Sequence, residues 1–315
     1  MKHWIKLELT VLLLAICCGL FESCKDKKSE RDADIAMIET SKNSVSNKPL
    51  SKEFKDYWYA GNAEITSYDL EQARYGELRN GKAVLIYVTE PFVADKQVKA
   101  DSKDPNNIPV LKLNSTKKYL TGIYPYAIMS SSFYPVHDDQ HALKVTFSAQ
   151  EWCGQVFTQL NNREQYDVRS FSYFESEGDK EQKLEKEVLE NELWNKIRIN
   201  PSALPTGEFN MIPSFEYLRM AHKDLRSYKA KASLDITDGI QTYTISYPEL
   251  NRVLEIKFGE KFPYTIESWS DSFKGGYGDN AKTMVSKGTK IKTIKTPYWQ
   301  QNRNKDLYLR DTLGL

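Results

Sequence analysis

The sequence predicts a mainly β fold, an antiparallel curved sheet or large barrel with one amphipathic helix; a β-sandwich is the alternative. Short runs alternate apolar and polar side chains, as residues 143–148 do, and turn residues separate many of these runs. One long segment shows helical spacing instead. Because short strands joined by tight turns pair antiparallel, these three observations argue against a βαβ architecture.

Three hairpins follow from the turn signals. Asn-Gly and Asp-Gly between apolar-rich runs are strong indicators of two-residue hairpin turns, because both dipeptides tolerate positive φ. The predicted hairpins join Ala73–Leu78 to Ala83–Val88 through Asn80-Gly81, Val156–Leu160 to Tyr166–Phe174 through Asn161-Asn162, and Ala230–Ile236 to Gln241–Tyr247 through Asp238-Gly239.

The helix is predicted over Leu184–Ile199. Its apolar residues recur at steps of three to five, whereas Glu185, Glu187, Glu190 and Glu192 fall outside the apolar stripe and are expected in solvent. Pro201 ends the helix, which we expect to pack on or cap the sheet. The segment 184–205 also marks the position at which the body divides into two sub-domains, if it divides at all.

The N-terminus has the layout of an export signal. Lys2 and Lys6 precede an apolar run, Val11–Phe21, which is too short to span a bilayer. Ser23-Cys24 then fits the cleavage position of a bacterial lipoprotein signal. We therefore predict a signal peptide over residues 1–23 and a lipid anchor at Cys24; an ordinary signal peptide with incidental cysteines is the alternative.

Residues 24–53 are predicted to be a lipidated, disordered tether, because few large apolar residues occur among many charged and polar ones. Residues 54–315 form the β-rich globular body. Acyl chains would hold the protein on a membrane. The expected location is the cell envelope, as an outer-membrane lipoprotein on either the periplasmic or the surface face.

Composition limits the partners. The 44 basic residues balance the 43 acidic ones, so no net field favours nucleic acid. The chain has 19 Tyr, 13 Phe and 6 Trp. Aromatic residues are typical of strands and of the core, which is the first interpretation. On the surface they would suit contacts with glycans or proteins, which is the second. Candidate partners are therefore an apolar ligand, a glycan or a protein.

No catalytic, cofactor-binding or metal residue is predicted. His137 and His141 are spaced as zinc ligands on a helix would be, but Pro135 and the flanking strand patterns indicate a solvated loop. The Gly-rich stretch 275–278 lacks the Lys-Ser/Thr of a phosphate-binding loop. Cys153, beside Trp152, is interpreted as a small buried apolar residue.

Paired carboxylates would suit a glycosidase. Glu175 with Glu177, and Glu249 with Glu255, are candidates for such a pair, with ordinary surface charge as the default interpretation. The chain contains no Gly-x-Ser-x-Gly motif and no Ser-x-x-Lys motif.

A resemblance to a known family rests on stretches spread over nearly the whole mature chain. These are Trp58-Tyr59-Ala60-Gly61, Ala63–Tyr68, Gln72–Glu77, Thr121–Tyr126, Gln150–Gln155, Ser170–Asp179 and Ile291–Lys295. They resemble an uncharacterised family of Bacteroidota lipoproteins, members of which are often labelled "septum formation inhibitor Maf". True Maf proteins are cytoplasmic α/β nucleotide pyrophosphatases with a Ser-x-Ser-Pro-Arg-Arg motif, which this chain lacks. The resemblance implies an envelope location and a fold, and no activity.

The expected function is that of a membrane-anchored envelope lipoprotein that binds a ligand or partner without catalysis and without a cofactor. An envelope hydrolase with paired carboxylates is the alternative, and a Maf-type pyrophosphatase is the third candidate. An apolar cleft inside the sheet or a contiguous exposed aromatic patch would support the first.

Overall fold

The computed structural model describes residues 50–138, 140–275 and 281–315. The predicted signal peptide, Cys24, most of the tether, Asp139 and most of the Gly-rich loop lie outside these residues. The described residues form one sixteen-stranded sheet, which is antiparallel except where β10 pairs with β11. The prediction of a mainly β, curved antiparallel sheet with a helix is confirmed.

The elements have the following bounds. The strands are β1 Ala63–Arg74, β2 Glu77–Val93, β3 Val98–Lys99, β4 Ile108–Thr121, β5 Tyr124–Pro135, β6 Lys144–Glu151, β7 Gly154–Asn162, β8 Tyr166–Ser172, β9 Lys180–Leu184, β10 Val188–Leu189, β11 Gly207–Ile212, β12 Tyr228–Thr237, β13 Ile240–Tyr247, β14 Arg252–Gly259, β15 Ile266–Gly275 and β16 Lys282–Thr296. The helices are α1 Lys52–Trp58, α2 Glu190–Ile199, α3 Phe215–Met220 and α4 Tyr308–Thr312.

The sheet rolls up without closing. Its order runs from β10 through β16, then β1 and β2, to β9, with β3 paired to β2 outside this path. The two edge strands β9 and β10 are nevertheless separated by only three residues, so Leu184 and Val188 lie at most about 14 Å apart. One hydrogen bond joins β9 to the loop before β12, because Gln182 donates to the Leu225 carbonyl at 2.7 Å. The chain crosses from one edge to the other at residues 185–187, inside the segment 184–205 where the sequence predicts a possible division.

Helix α2 lies inside the rolled sheet and contacts strands from both halves. Asn195 donates to the Leu111 carbonyl of β4, and the Tyr87 hydroxyl of β2 donates to the Trp194 carbonyl. The Trp194 ring meets Trp269 of β15 at a centroid distance of 5.6 Å. One hydrophobic core joins this helix to buried residues of most strands. The helix thus fills the interior that a sheet of this size would otherwise leave open.

The helix begins later, and is buried more completely, than its sequence pattern predicts. Val188 and Leu189 pair with β11, so their backbone groups belong to the sheet edge. The Glu192 carboxylate accepts from the Leu189 amide at 3.2 Å, which places the helix start there. Glu190 and Glu192 are buried, not solvent-facing, because cationic and amide partners from other elements meet their carboxylates.

One of the three hairpin turns is confirmed. Asp238 and Gly239 connect β12 to β13, and both have positive φ, 51° and 77°. The Asn161-Asn162 turn is wrong: both residues end β7, and the turn follows at residues 163–165.

The Asn80-Gly81 turn is also wrong, because β2 runs straight through it and the turn falls at Tyr75-Gly76. Gly81 pairs with Tyr119, and a Cβ on Gly81 would lie 2.2 Å from the Lys118 carbonyl oxygen. This position requires a glycine because the backbones of β2 and β4 approach each other closely there, and not because a turn is formed.

Two further features concern the surface. Cys153 is exposed at the turn between β6 and β7, so its interpretation as a buried residue is wrong. Among the helices of the described ranges, none is long and apolar enough to cross a membrane.

A buried ion pair fixes the C-terminal end of α2 to the sheet. Arg198 of α2 donates two hydrogen bonds to Glu64 of β1, both at 2.6 Å, and both side chains are at most 1% exposed. The Tyr57 hydroxyl also donates to Glu64, at 2.5 Å. Burial alone would raise the pKa of Glu64, but the charge and hydrogen bonds of Arg198 and the bond from Tyr57 outweigh it and lower that pKa.

We predict that Arg198→Met lowers the free energy of unfolding by about 3–5 kcal/mol, because Glu64 keeps its burial and loses its counter-charge. Urea unfolding followed by circular dichroism measures this loss. The double variant Glu64→Leu/Arg198→Met should recover most of it, since both charges are removed. The exposed Glu208→Gln should change stability by less than about 0.5 kcal/mol. An Arg198→Met protein as stable as the parent would contradict the stabilising role of this buried ion pair.

The same pair predicts a pH dependence. The pKa of Glu64 lies lower in the folded protein than its unfolded value of about 4.3, so its stabilisation is present above that pH and is lost as the pH falls through the folded pKa. In Arg198→Met the unpaired carboxyl should show a raised pKa. The contribution of Glu64 to stability should then increase as the pH falls, which unfolding curves between about pH 3 and 7 resolve.

Candidate functional site

A cavity lies on the inner side of the sheet, beside the N-terminal half of α2 and under α3. Its volume is about 80 Å³, and it opens to solvent. Its wall mixes apolar, hydroxyl and charged side chains. The lining residues are Gln72, Leu85, Leu113, Ser115, Lys117, Ser130, Ser131, Ser132, Glu190, Asn191, Trp194, Ser214, Glu216, Tyr217, Met220, Arg252, Leu254, Trp269, Asp271, Phe273 and Ser286.

Local sequence places these groups by simple periodicity. On β15, Trp269, Asp271 and Phe273 are two residues apart and so project to the same face. On α2, Glu190 and Trp194 are four residues apart and share one side of the helix. Five elements therefore supply most of the wall: β4, β5, β15, α2 and the short helix α3.

Helix α3 is fixed at the mouth of the cavity from both ends. Ser214 caps its first turn by accepting from the Tyr217 amide at 3.3 Å. Glu216 forms an ion pair with Lys117 of β4 at 2.7 Å, and Arg74 donates to the Met220 carbonyl at 3.1 Å. These contacts connect α3, which follows β11 in sequence, to strands β1 and β4.

A charged network forms the floor. Arg252 donates to both oxygens of Glu190, at 2.6 and 2.8 Å, and to both oxygens of Asp271, at 2.7 and 2.9 Å. The Tyr247 hydroxyl also donates to Glu190, at 2.7 Å. One guanidinium thus joins α2 to β14 and β15 through two bidentate contacts, the strongest geometry available to an Arg–carboxylate pair.

The pKa values of the two carboxylates in this network are shifted in opposite directions. Burial would raise the pKa of Glu190, but the charge and hydrogen bonds of Arg252 outweigh it and hold that pKa below its usual value. Burial raises the pKa of Asp271 despite Arg252, and the nearby charge of Glu190 adds to the rise. Asp271 is therefore the group of this pair that takes up a proton more readily.

Two polar atoms in the wall lack a hydrogen-bond partner among the described residues. The Gln72 side chain is buried, with the residue 5% exposed; its amide nitrogen donates to Ser286 at 3.1 Å, and its Oε1 is unpartnered. The Oγ of Ser130, on β5, is likewise buried and unpartnered. Because an unsatisfied buried polar atom costs about 1–3 kcal/mol, such atoms need an explanation.

Aromatic rings form the apolar part of the wall. Trp269 lies edge-on to Trp194 and also contacts Tyr68 at a centroid distance of 4.8 Å. The indole of Trp269 rests against Gly288 of β16, where a Cβ would meet ring atoms at 2.2 Å. Gly288 thus makes room for the Trp269 ring at the cavity wall.

The predicted histidine loop is an anchoring contact for α2. His141 Nδ1 lies 2.7 Å from Glu192, and Asp138 accepts from Lys196 at 2.6 Å. The interpretation as a solvated loop is therefore wrong for these side chains, which helix α2 half-buries or buries. In the part of the chain that the structure describes, no group of three or more His, Cys, Asp or Glu residues could hold a metal ion.

The predicted carboxylate pairs are engaged elsewhere. Glu177 contacts Arg219 and His222, Glu249 pairs with Arg226, and Glu255 accepts from Ser270. None of these glutamates lines the cavity. The carboxylates that do line it, Glu190, Glu216 and Asp271, were not singled out from sequence. For Asp271 a signal existed, because a charge stands in phase with Trp269 and Phe273 on a buried strand face.

A second surface feature is a largely aromatic rim at one end of the rolled sheet. The turns that join β1 to β2, β4 to β5 and β6 to β7 lie at this end, as does the last residue of β8. They carry Tyr75, Ile123, Trp152 and Tyr173, which are 50–81% exposed. Gln72 lies near the same end of β1, so the rim and the cavity share one end of the molecule.

The fold is a rolled, unclosed β-sheet that encloses a helix and a cavity with a mixed apolar and polar wall. No family model matches the chain, and no curated protein matches it. A solved structure that matches is the beta-barrel-like protein of domain of unknown function DUF1849 from Brucella abortus. It is 10% identical, with a TM-score of 0.46 over 74% of this chain and 98% of that chain. This similarity carries no information about a ligand.

We predict that Gly288→Ala displaces the Trp269 indole from the cavity wall, because the new Cβ and the ring cannot occupy the same space. The cost should be about 1–3 kcal/mol, with a changed near-ultraviolet circular dichroism spectrum. Gly259→Ala is the matched control, since its nearest non-neighbouring atom, the Lys261 carbonyl oxygen, would be 3.8 Å away. Equal melting temperatures and spectra for the two variants would refute the contact.

Proposed function

We propose that the protein is a lipoprotein of the cell envelope that binds a small ligand, without catalysis, in the cavity enclosed by α2, α3 and the sheet. The observation that carries the proposal is the cavity itself, whose wall combines aromatic rings with hydroxyl and charged side chains. The lipoprotein-like N-terminus and the family resemblance support the location.

The geometry favours binding over hydrolysis. A glycosidase needs two carboxyl groups that face each other across the substrate, one of them free to give a proton. Here Glu190 and Asp271 lie on the same guanidinium, and Glu216 pairs with Lys117. Each carboxylate that lines the cavity is thus engaged by a basic side chain. Hydrolysis of the ligand remains the contrary outcome of the binding experiments.

Binding is tested by filling the cavity. Full-length protein should bind a neutral disaccharide or decanoate, measured by native mass spectrometry and titration calorimetry. Ser130→Phe, which places a ring in the cavity, should abolish that binding. Ser233→Phe, on the exposed face of β12, should leave it unchanged. The proposal fails if neither probe class binds, if the filled variant binds as well as the parent, or if the probe is cleaved.

The anchor is tested separately. Cys24→Ala should release the protein from membranes or block its maturation, as fractionation and mass spectrometry of the N-terminus would show. Cys17→Ala and Cys18→Ala are matched controls, since neither is the predicted acylation site, and both should remain membrane-bound. Normal maturation and unchanged attachment of Cys24→Ala would contradict the lipoprotein assignment.

A further inference from the structure

The side chains of the rim form one continuous row. The Tyr75 hydroxyl, after β1, shares a hydrogen bond of 2.8 Å with the Tyr126 hydroxyl of β5. The Tyr126 ring meets the Tyr124 ring at a centroid distance of 6.1 Å, and the Tyr124 ring meets the Trp152 ring at 6.3 Å. These contacts join the β1–β2, β4–β5 and β6–β7 turns, so the rim is one surface and not a set of isolated side chains.

The row continues past Trp152 and is strongly exposed. Tyr173 packs on the backbone of Gly154, where a Cβ would lie 2.9 Å from the Tyr173 ring. The exposed fractions are 68% for Trp152, 78% for Tyr173 and 81% for Ile123. Two leucines near the rim are also more than half exposed, Leu78 of β2 and Leu120 of β4. A single exposed apolar side chain is ordinary, whereas a contiguous set of them marks a contact surface.

The chemistry of the rim suits the interface between a membrane and water. Three of its four exposed side chains are Tyr or Trp, whose rings combine an apolar body with one hydrogen-bonding group. Such side chains are enriched at the level of the lipid headgroups, because the ring is buried in lipid while its polar group stays hydrated. Ile123, the most exposed of the four, has no polar group and suits the boundary of the acyl chains.

Charges of both signs border the rim. Glu77 pairs with Arg79 at 2.6 Å in the strand that follows the β1–β2 turn. Glu151 accepts from the Cys153 amide at 2.7 Å in the β6–β7 turn. A basic cluster would attract anionic lipid, but this border mixes both signs. Contact between the rim and a bilayer therefore depends on apolar burial and not on the charge of the lipid.

The predicted tether is long enough to bring the rim to the bilayer that would hold the anchor. Phe54 of α1 contacts Phe262 of the β14–β15 turn, so the tether joins the body at the end opposite the rim. The twelve residues of β1, which lead from that end to the rim, span about 40 Å. Residues 25–49 reach about 85 Å when extended. The tether can therefore pass along the body and leave the rim on the membrane.

We propose that the rim is a membrane-contact surface, and that Tyr75, Ile123, Trp152 and Tyr173 enter the interface of the bilayer that holds the lipid anchor. This inference rests on the proposed envelope location and is independent of any ligand in the cavity. The acyl chains keep the protein at the membrane, and the rim gives the body one orientation on it. Because the rim and the cavity share one end of the molecule, that orientation turns the cavity end toward the lipid.

The exposed thiol of Cys153 allows a direct test, because it lies in the rim and is free. In the mature protein the sulfur of Cys24 would carry lipid, so a nitroxide label reacts at Cys153. Mature protein, with its acyl chains verified by mass spectrometry, is labelled and placed in phosphatidylcholine nanodiscs at one copy per disc. Electron paramagnetic resonance then measures collisions of the label with oxygen, which dissolves in lipid, and with a nickel chelate, which stays in water.

The matched control carries the label at the other end of the sheet. Thr237 is exposed and ends β12, which runs antiparallel to β1 and so ends opposite the rim. Thr237→Cys in a Cys153→Ser background receives the same nitroxide. The ratio of oxygen to nickel collisions should be at least about fivefold higher at Cys153 than at this control position, because only the rim label lies in lipid.

Tryptophan fluorescence tests the same contact without a label. Brominated phosphatidylcholine quenches the emission of a tryptophan that it touches. Trp152→Phe should remove about half or more of the quenching measured for the parent, whereas Trp299→Phe, beyond the far end of β16, should leave it unchanged. The quenching should persist between about 0.1 and 1 M NaCl, because salt screens charge interactions and not apolar burial.

The outcomes are distinguishable. In an acylated protein, a Cys153 label as open to nickel as the control label would overturn the inference and leave the lipoprotein location standing. Protection of the Cys153 label from both reagents would place the rim against protein and would also overturn it. Lipid contact at both positions would mean that the body lies flat, and loss of contact in high salt would refute an apolar contact. Absence of acyl chains would refute the proposed location and this inference together.

Discussion

The structure depends on burying a polar helix inside a rolled sheet. Of the ten residues of α2, Glu190, Glu192, Leu193, Asn195, Ile197 and Arg198 are buried, and four of these are charged or amide residues. Burying such groups is favourable only when each finds a partner, because an unpaired buried charge costs several kcal/mol. Strands supply Arg252 and Glu64, and the β5–β6 loop supplies the Ala142 amide to Glu192. The partners fix both the rotation and the depth of the helix.

These contacts also explain how an unclosed sheet stays rolled. Glu190 and Arg198 are eight residues apart, about 12 Å along the helix, so the two ion pairs hold separate points of the interior. One pair joins the helix to β14, and the other joins it to β1. With the edges β9 and β10 unpaired to each other, the helix provides the connection that a closed barrel would obtain from hydrogen bonds between its edge strands. The cavity lies where the helix N-terminus leaves the sheet and α3 covers the gap.

Sequence patterns predicted the β architecture and the Asp238-Gly239 hairpin because those depend on local geometry: strand alternation and positive φ. Asn80-Gly81 misled because the glycine is required by a neighbouring strand, which no local pattern reveals. Glu190 and Glu192 looked solvent-facing because their partners, Arg252 and the Ala142 amide, are distant in sequence. The candidate site is built from such long-range pairs, so composition suggested a glycan or apolar partner but could not locate the cavity.

If α2 holds the sheet rolled, its backbone amides should be as well protected as those of the strands that it joins. Hydrogen exchange of backbone amides, followed by mass spectrometry under native conditions, measures this protection. The amides of Leu193, Asn195 and Ile197 should exchange only by global unfolding, together with those of β1 and β14. If the α2 amides exchange much faster than the amides of those strands, the sheet keeps its curvature without the helix, and α2 does not hold it rolled.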